Sequence, residues 1–343
     1  MRALRLAVDA RVVAGDVRGI GRYARAILRR LIERDDVELT LLQFGPFVFR
    51  HRGALASALG TSRFTVRSRV AGDADVVWHP ANGTFFASKA PNVATIHDAI
   101  PFRQPKADPA ARAHEQEPIL RSARTAARVI ADSEFARRDV HDALGIELER
   151  IVAIHLGVDS SFSPGPAGAL PNGARSGDYV LFVGPIAEPR KNFSVLYEAF
   201  TRAWANGASP QLVVVGPAAP AAPNVVHVAS VDDDGLRALY RGAIALAIPA
   251  YHEGFGLPML EAMACGTPVL AARASALPEI GGDAALYAGA ESAAEWAGLL
   301  ERIVTDRALR ERLSDAGLDR VKAFSWDRCA MQHLDVFRAA ANA

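Results

Sequence analysis

Two periods of apolar residues organise the chain. Short aliphatic and β-branched runs alternate with stretches in which apolar positions recur at the roughly 3.6-residue period of a helix. The runs expected as strands are 4–9, 38–44, 64–67, 75–78, 93–97, 128–131 and 151–155, then 179–183, 211–215, 225–228, 243–248 and 267–271. The clearest helix is 19–34, where Ile20, Tyr23, Ala24, Ile27, Leu28, Leu31 and Ile32 share one face and Arg22, Arg25, Arg29, Arg30 and Arg34 fall off it. The tail 326–341 has the same amphipathic pattern. Strand–helix–strand alternation implies parallel sheets covered on both faces.

The alternation is interrupted at 160–178 (SSFSPGPAGALPNGARSGD), which is rich in Ser, Pro and Gly and reads as an interdomain linker. Charge changes there too. Lys+Arg exceed Asp+Glu by 24 to 19 up to residue 165, and fall short by 15 to 19 beyond it. The expectation is an α/β protein of two Rossmann-like domains, 1–165 and 166–325, with sheets facing across a cleft. A last amphipathic helix, 326–343, follows the second domain.

Composition narrows the functional classes. Of 343 residues, 50% are hydrophobic and 22% charged, which suits a large core, and a net charge of +1 argues against a general polyanion binder. Cys265 and Cys329 are the two cysteines, too few for a disulfide framework or a four-cysteine metal site. No apolar run has the ~20 residues of a membrane span, and no secretory leader is read at the N-terminus. A cytoplasmic protein is expected.

In doubly wound sheets, ligands bind beyond the C-terminal ends of the strands, and four such segments carry chemistry. In 251–267 (YHEGFGLPMLEAMACGT), Glu253 and Glu261 flank a Gly254–Pro258 loop that leads into a helix over 259–265. Glycines let backbone N–H groups approach an anion, and the helix dipole favours one there. In 181–192 (LFVGPIAEPRKN), a strand ends at Gly184 and Arg190-Lys191 begin a helix. Two cations at a helix N-terminus are unfavourable without an anion beside them. In 11–22, Gly19-Ile20-Gly21 with Ala24 fits a G-x-G-x-x-A pattern. The long approach to the first glycine, and the lack of an acid after the next strand, suit a phosphate contact better than a dinucleotide fold. His97-Asp98 ends a strand, where a hydroxyl of donor or acceptor would sit. The D-x-D pair Asp73/Asp75 lies on the wrong edge of the sheet for a metal, and no metal is expected.

Together these residues resemble family 4 retaining glycosyltransferases of the GT-B fold, and more narrowly bacterial mannosyl- and rhamnosyltransferases of polysaccharide synthesis. The glutamate pair with its GFGLP loop carries most of the resemblance. GPIAEPRKN, GIGRY, the strand-end His97-Asp98, ADSEFARRDV (131–140), LGVDSSFSP (156–164) and the Trp326 tail support it. The resemblance implies a nucleoside-diphosphate sugar in the second domain, an acceptor in the first, and a last helix, 326–343, that crosses back to the first domain. Arg190 and Lys191 would neutralise the departing diphosphate. Glu261 would bind ribose. Glu253 would meet the sugar hydroxyls, helped by the amides of Phe255, Gly256 and Leu257. Gly184 and Gly21 would line the phosphates, and His97 would bond the sugar near the reacting carbon. Val231 and Asp233 resemble a stretch that grips guanine, which favours GDP-mannose or GDP-rhamnose over a UDP-sugar. Ala250 and Ser230 depart from the small hydroxyl residue and the glycine usual at those places.

The acceptor implied is a glycan or lipid-linked oligosaccharide, and nucleic acid is not a partner. The arginine face of 19–34 reads either as a solvated surface or as a contact with anionic lipid on the cytoplasmic membrane face. Rival readings are an NAD-dependent oxidoreductase, a sugar-nucleotide epimerase and a non-catalytic glycan-binding subunit.

Overall fold

The computed structural model describes residues 2–15, 19–44, 51–68, 73–205 and 210–342. The chain forms two compact units, Met1–Gly157 with Ser325–Ala343, and Val158–Phe324.

The first unit holds a parallel sheet of seven strands: β1 (Leu4–Asp9), β2 (Val37–Leu42), β3 (Thr65–Arg67), β4 (Val76–His79), β5 (Asn92–Thr95), β6 (Ala126–Ala131) and β7 (Ile151–Ala153), ordered β3-β2-β1-β4-β5-β6-β7. The second holds six: β8 (Tyr179–Val183), β9 (Gln211–Val215), β10 (Val225–Val228), β11 (Ala245–Ile248), β12 (Val269–Ala272) and β13 (Ala285–Ala288), ordered β10-β9-β8-β11-β12-β13. In each sheet the strand order reverses beside the first strand, between β1 and β4 and between β8 and β11. Those are the switch points where a doubly wound sheet opens a crevice.

The expected strands all form, with ends shifted by a few residues, while β13 was not foreseen. The central strands are apolar on both faces: β4, β5, β9, β11 and β12 are buried throughout. The helix expected at 19–34 spans Gly19–Leu31 and buries Tyr23, Ala24, Ile27, Leu28 and Leu31. A short helix, Arg11–Gly15, occupies part of what reads in sequence as a loop, and Asp16, Val17 and Arg18 of that loop lie outside the described residues.

The 160–178 stretch is not a linker. The chain leaves the first unit at Gly157 and returns at Ser325, and the stretch is fastened to the second unit. Phe162 is buried with its ring 6.0 Å from that of Tyr240, Arg241 Nε donates to the Ser163 carbonyl at 2.8 Å, and Gly177 N–H to the Gly242 carbonyl at 2.8 Å. Its Pro and Gly content marks irregular backbone, and irregular backbone can pack as firmly as a helix when its polar groups find partners.

The last helix, Trp326–Ala341, belongs to the first unit. Ser325 caps it, with Oγ accepting from Asp327 N–H, and the Trp326 backbone and ring close on Gly157 so tightly that a side chain at 157 would collide. A chain of hydrogen bonds fastens it to the sheet. Burial lowers the His333 pKa to about 4, so the ring is neutral, and its Nδ1–H donates to the Cys329 carbonyl at 2.7 Å. Nε2 therefore accepts from Tyr23 Oη at 2.6 Å. Tyr23 in turn accepts from Thr95 Oγ1 at 2.8 Å, and Thr95 from Trp78 Nε1 at 3.0 Å. Each proton in the chain has one available place.

Candidate functional site

The site is built where β8 and β11 lie side by side, paired through Val180 with Ala245 and Leu181 with Leu246. β8 ends at Val183 and is followed by Gly184, whose φ of +146° suits glycine. Its carbonyl lies so close to Gly216, past the end of β9, that any side chain at 216 would strike it. The chain then makes a 3₁₀ turn over Pro189–Lys191 and enters the helix Phe193–Ala203. β11 continues through Glu253 and the glycine loop into the helix Leu257–Ala264. Gly256 stands at its N-cap with φ +99°, and Pro258 sits in its first turn, where a missing N–H costs nothing.

The two loops are clipped together. Tyr251 N–H donates to the Arg190 carbonyl at 2.8 Å. Asn192, at a left-handed φ of +52°, donates from Nδ2 to the carbonyls of Pro249 (3.0 Å) and Ala290 (2.6 Å). Between them three charges converge. Lys191 Nζ donates to Glu253 Oε1 at 2.5 Å, and Arg190 Nη1 donates to Glu253 Oε2 at 3.2 Å. Arg190 Nε also donates to Glu188 Oε1 at 2.6 Å. The side chains of Arg190, Lys191 and Glu253 are 17%, 14% and 12% exposed, so little solvent screens them. Burial by itself would raise the Glu253 pKa, but the adjacent Lys191 and Arg190 outweigh it and hold the carboxyl below its ordinary value. The Lys191 stem passes over Gly184, with Cδ and Cε 3.6 Å from the position of a Cβ there.

Eight residues further on, Glu261 lies in the Leu257–Ala264 helix, buried, with Oε2 accepting from the buried Tyr240 hydroxyl at 3.0 Å. Phe255, on the same loop as Glu253, is buried against Phe324 at 6.0 Å between ring centroids. The arrangement places a compact positive pair, a glycine loop and a helix N-terminus at one end of one sheet. Chemically, that combination can accept a diphosphate.

The glycosyltransferase family 4 profile matches residues 17–162, and the profile described as glycosyl transferases group 1 matches residues 172–320. The chain belongs to the family 4 glycosyltransferases. The O-antigen chain mannosyltransferase B of Escherichia coli is 28% identical over 93% of this chain and 96% of its own length. The MMP alpha-(1->4)-mannosyltransferase of Mycolicibacterium hassiacum is 29% identical over 73% of this chain and 66% of its own. Among solved structures, sucrose-phosphate synthase of Thermosynechococcus elongatus superposes with a TM-score of 0.69, at 20% identity and 98% of both chains. The fold of this glycosyltransferase is therefore GT-B. Its family calls for a sugar-nucleotide donor and a glycan acceptor, as the sequence implies.

Of the residues singled out in the sequence of this glycosyltransferase, Gly184, Arg190, Lys191, Glu253, Phe255, Gly256, Leu257 and Glu261 gather at the β8–β11 end of the second sheet. Val231 and Asp233 lie past β10, at the sheet edge. There Asp232 caps the helix Asp233–Gly242 by accepting from Gly235 N–H at 2.8 Å. Gly21 and His97 lie in the first unit, Gly21 in the first turn of its helix.

The His97 ring is engaged at both nitrogens: Nδ1 lies 2.7 Å from Asp132 Oδ2 and Nε2 2.9 Å from the Pro80 carbonyl. Two acceptors call for two ring protons. Burial opposes the charge, but Asp132 and the Pro80 carbonyl outweigh it and raise the His97 pKa. For the ring to bond a sugar, one of these bonds must open.

The D-x-D acids are already committed. Asp75 accepts from Arg5 at 2.6 Å and Asp73 lies 3.7 Å from Arg67. Several arginines of the 19–34 face are also spent internally: Arg25 on the Val13 carbonyl (3.0 Å), Arg29 on that of Ala58 (2.7 Å) and Arg30 on Asp327 (2.5 Å). Among the described residues no helix is long and apolar enough to cross a membrane. Cys265 is buried, which pushes its thiol up to about 11. A concavity of about 460 Å³ lies over Arg5, Thr40, Thr65 and Arg67 of the first sheet, far from this chemistry in sequence and carrying arginines already paired.

Sequence reasoning missed Asn192, Tyr240 and Ser275. Asn192 had a signal, since Asn enters the left-handed conformation more readily than other residues with a side chain. Tyr240 and Ser275 had none, because their contacts join distant parts of the chain.

Proposed function

We propose that the protein moves a hexose, with retention at the anomeric carbon and without a metal ion, from a nucleoside-diphosphate sugar to a glycan or lipid-linked glycan. GDP-mannose is the favoured donor. The observation that carries the reading is the Arg190–Lys191–Glu253 cluster beside the glycine loop.

Glycosyl transfer leaves negative charge on the departing diphosphate and positive charge on the anomeric carbon. Arg190 offers a planar fork and Lys191 a point charge, both largely screened from water, where their attraction for an oxyanion is strongest. These two cations do the work that a divalent ion does elsewhere. The amides of Phe255, Gly256 and Leu257 open onto the same end of the helix. With a diphosphate seated on the pair, the Glu253 carboxylate turns to the sugar hydroxyls. Glu261, held by Tyr240, takes the ribose. Retention follows if the acceptor attacks on the face the diphosphate leaves, with a diphosphate oxygen taking its proton. In this reading Glu253 binds the sugar and is not the nucleophile.

Mannose is favoured because the two relatives described above are named mannosyltransferases. Guanine is favoured by the acid at Asp233, since a carboxylate can accept from guanine N1–H and the 2-amino group together. The test is transfer from a panel of GDP- and UDP-sugars to mannose-terminated glycans in EDTA, with the product anomer read by NMR. An α-mannoside formed from GDP-α-mannose supports the reading. An inverted product, or turnover that needs added metal, overturns it.

A further inference from the structure

Glu253 is held by its main chain as well as its carboxylate. Its N–H donates to Ser275 Oγ at 3.0 Å, and its carbonyl accepts from Ala276 N–H at 3.2 Å. Both partners come from the turn after β12, the neighbour of β11 in the sheet. Ser275 has a left-handed φ of +55°. That conformation is natural for glycine and Asn and unfavourable for other side chains, so serine is a poor choice for the backbone alone. The strained rotation sets the hydroxyl where it meets the Glu253 amide. An outlier of this kind, bonded directly to a site residue, is evidence of a task for the side chain.

We propose that Ser275 is a positioning residue, which fixes the main chain of Glu253 so that its carboxylate can pass from Lys191 and Arg190 to the sugar of the donor. The proposal rests on the reading of Glu253 given above. Glycine at 275 separates positioning from structure. It suits the backbone better than serine and keeps the Ala276 bond, but it takes away the acceptor of the Glu253 amide.

The test compares wild type, Ser275→Gly and Glu253→Gln. Turnover is measured with whichever of GDP-mannose, GDP-rhamnose and UDP-glucose the wild type cleaves fastest. Unfolding midpoints and the affinity for the free nucleoside diphosphate are measured alongside. Expected for Ser275→Gly is a fall in kcat of about three- to tenfold, the range for one lost hydrogen bond. Its midpoint is not lowered, its affinity for the free diphosphate is unchanged, and amide exchange at 251–256 is faster. Ser275→Gly turning over as fast as wild type, while Glu253→Gln is impaired, overturns the role of Ser275 alone. An unimpaired Glu253→Gln overturns the reading of Glu253 and that of Ser275 with it. A lowered midpoint or a weaker diphosphate complex in Ser275→Gly shows a structural or nucleotide role and also overturns the proposal.

Discussion

Lys191 and Glu253 form a close ion pair, Nζ to Oε1 at 2.5 Å, with side chains only 14% and 12% exposed. The pair occupies the cation that the proposed chemistry needs for the leaving group. Lys191→Ala should lower turnover by about 100-fold or more, as loss of one preorganised oxyanion partner does elsewhere. The fold should persist, because Arg190 still faces Glu253. Steady-state kinetics beside a thermal melt check this, and full turnover in the variant would remove Lys191 from the reaction.

Gly256 stands where the backbone conformation favours glycine. At φ +99° an added Cβ would also stand 3.1 Å from Leu277 Cδ2. Gly256→Ala should cost about 1–3 kcal/mol of stability through backbone strain, measured by denaturant unfolding. A variant as stable as wild type would show that the loop can take another conformation.

His333 makes stability depend on pH. Its ordinary pKa of 6.5 falls to about 4 in the fold, with burial the main cause and the nearby His97 adding to it. The unfolded chain therefore binds one more proton between those values. The contribution is complete above 6.5 and is lost as pH falls toward 4, to a total of roughly 3 kcal/mol. His97 has the opposite sign: its raised pKa gives stability that is complete below 6.5 and is lost as pH rises through the folded value. Cys329 and Tyr23 face His333 but burial pushes both upward, so neither titrates in this window. In urea titrations from pH 7 to 5, wild type should lose more stability than His333→Gln. Equal losses would mean the ring is not neutral in the fold.

Asp132 is the main source of charge beside His97, through the 2.7 Å contact. Asp132→Asn should lower the His97 pKa, since burial is then opposed by the Pro80 carbonyl and the more distant Asp98 alone. An NMR titration of the imidazole protons reads this directly, and an unmoved pKa would contradict the assignment.

The parallel sheets were legible because strands such as β9 (QLVVV) and β11 (ALAI) are apolar on both faces and bounded by turn residues. β13 was missed because Ala285–Ala288 (ALYA) has no β-branched residue and its Leu286 and Tyr287 are only half-buried. The 160–178 stretch was misread because composition reports irregular backbone, while its packing depends on Phe162 and Arg241 finding distant partners. At the site, the basic pair and both glutamates were visible as sequence. That Arg190 and Lys191 both pair with Glu253 was not, since the loops after β8 and β11 meet only through the order of the sheet. The left-handed Ser275 gave no sign at all, because nothing local forces it.

The central claim is that Arg190 and Lys191 seat a diphosphate unaided. Calorimetric titration of GDP, and of UDP in parallel, into wild type and into Arg190→Ala/Lys191→Ala tests it most directly, in buffer containing EDTA. The account predicts saturable binding of a nucleoside diphosphate by wild type in EDTA, and a loss of about 100-fold or more in affinity in the double variant. Equal affinity in the two proteins, or binding by wild type only after a divalent cation is restored, would contradict it.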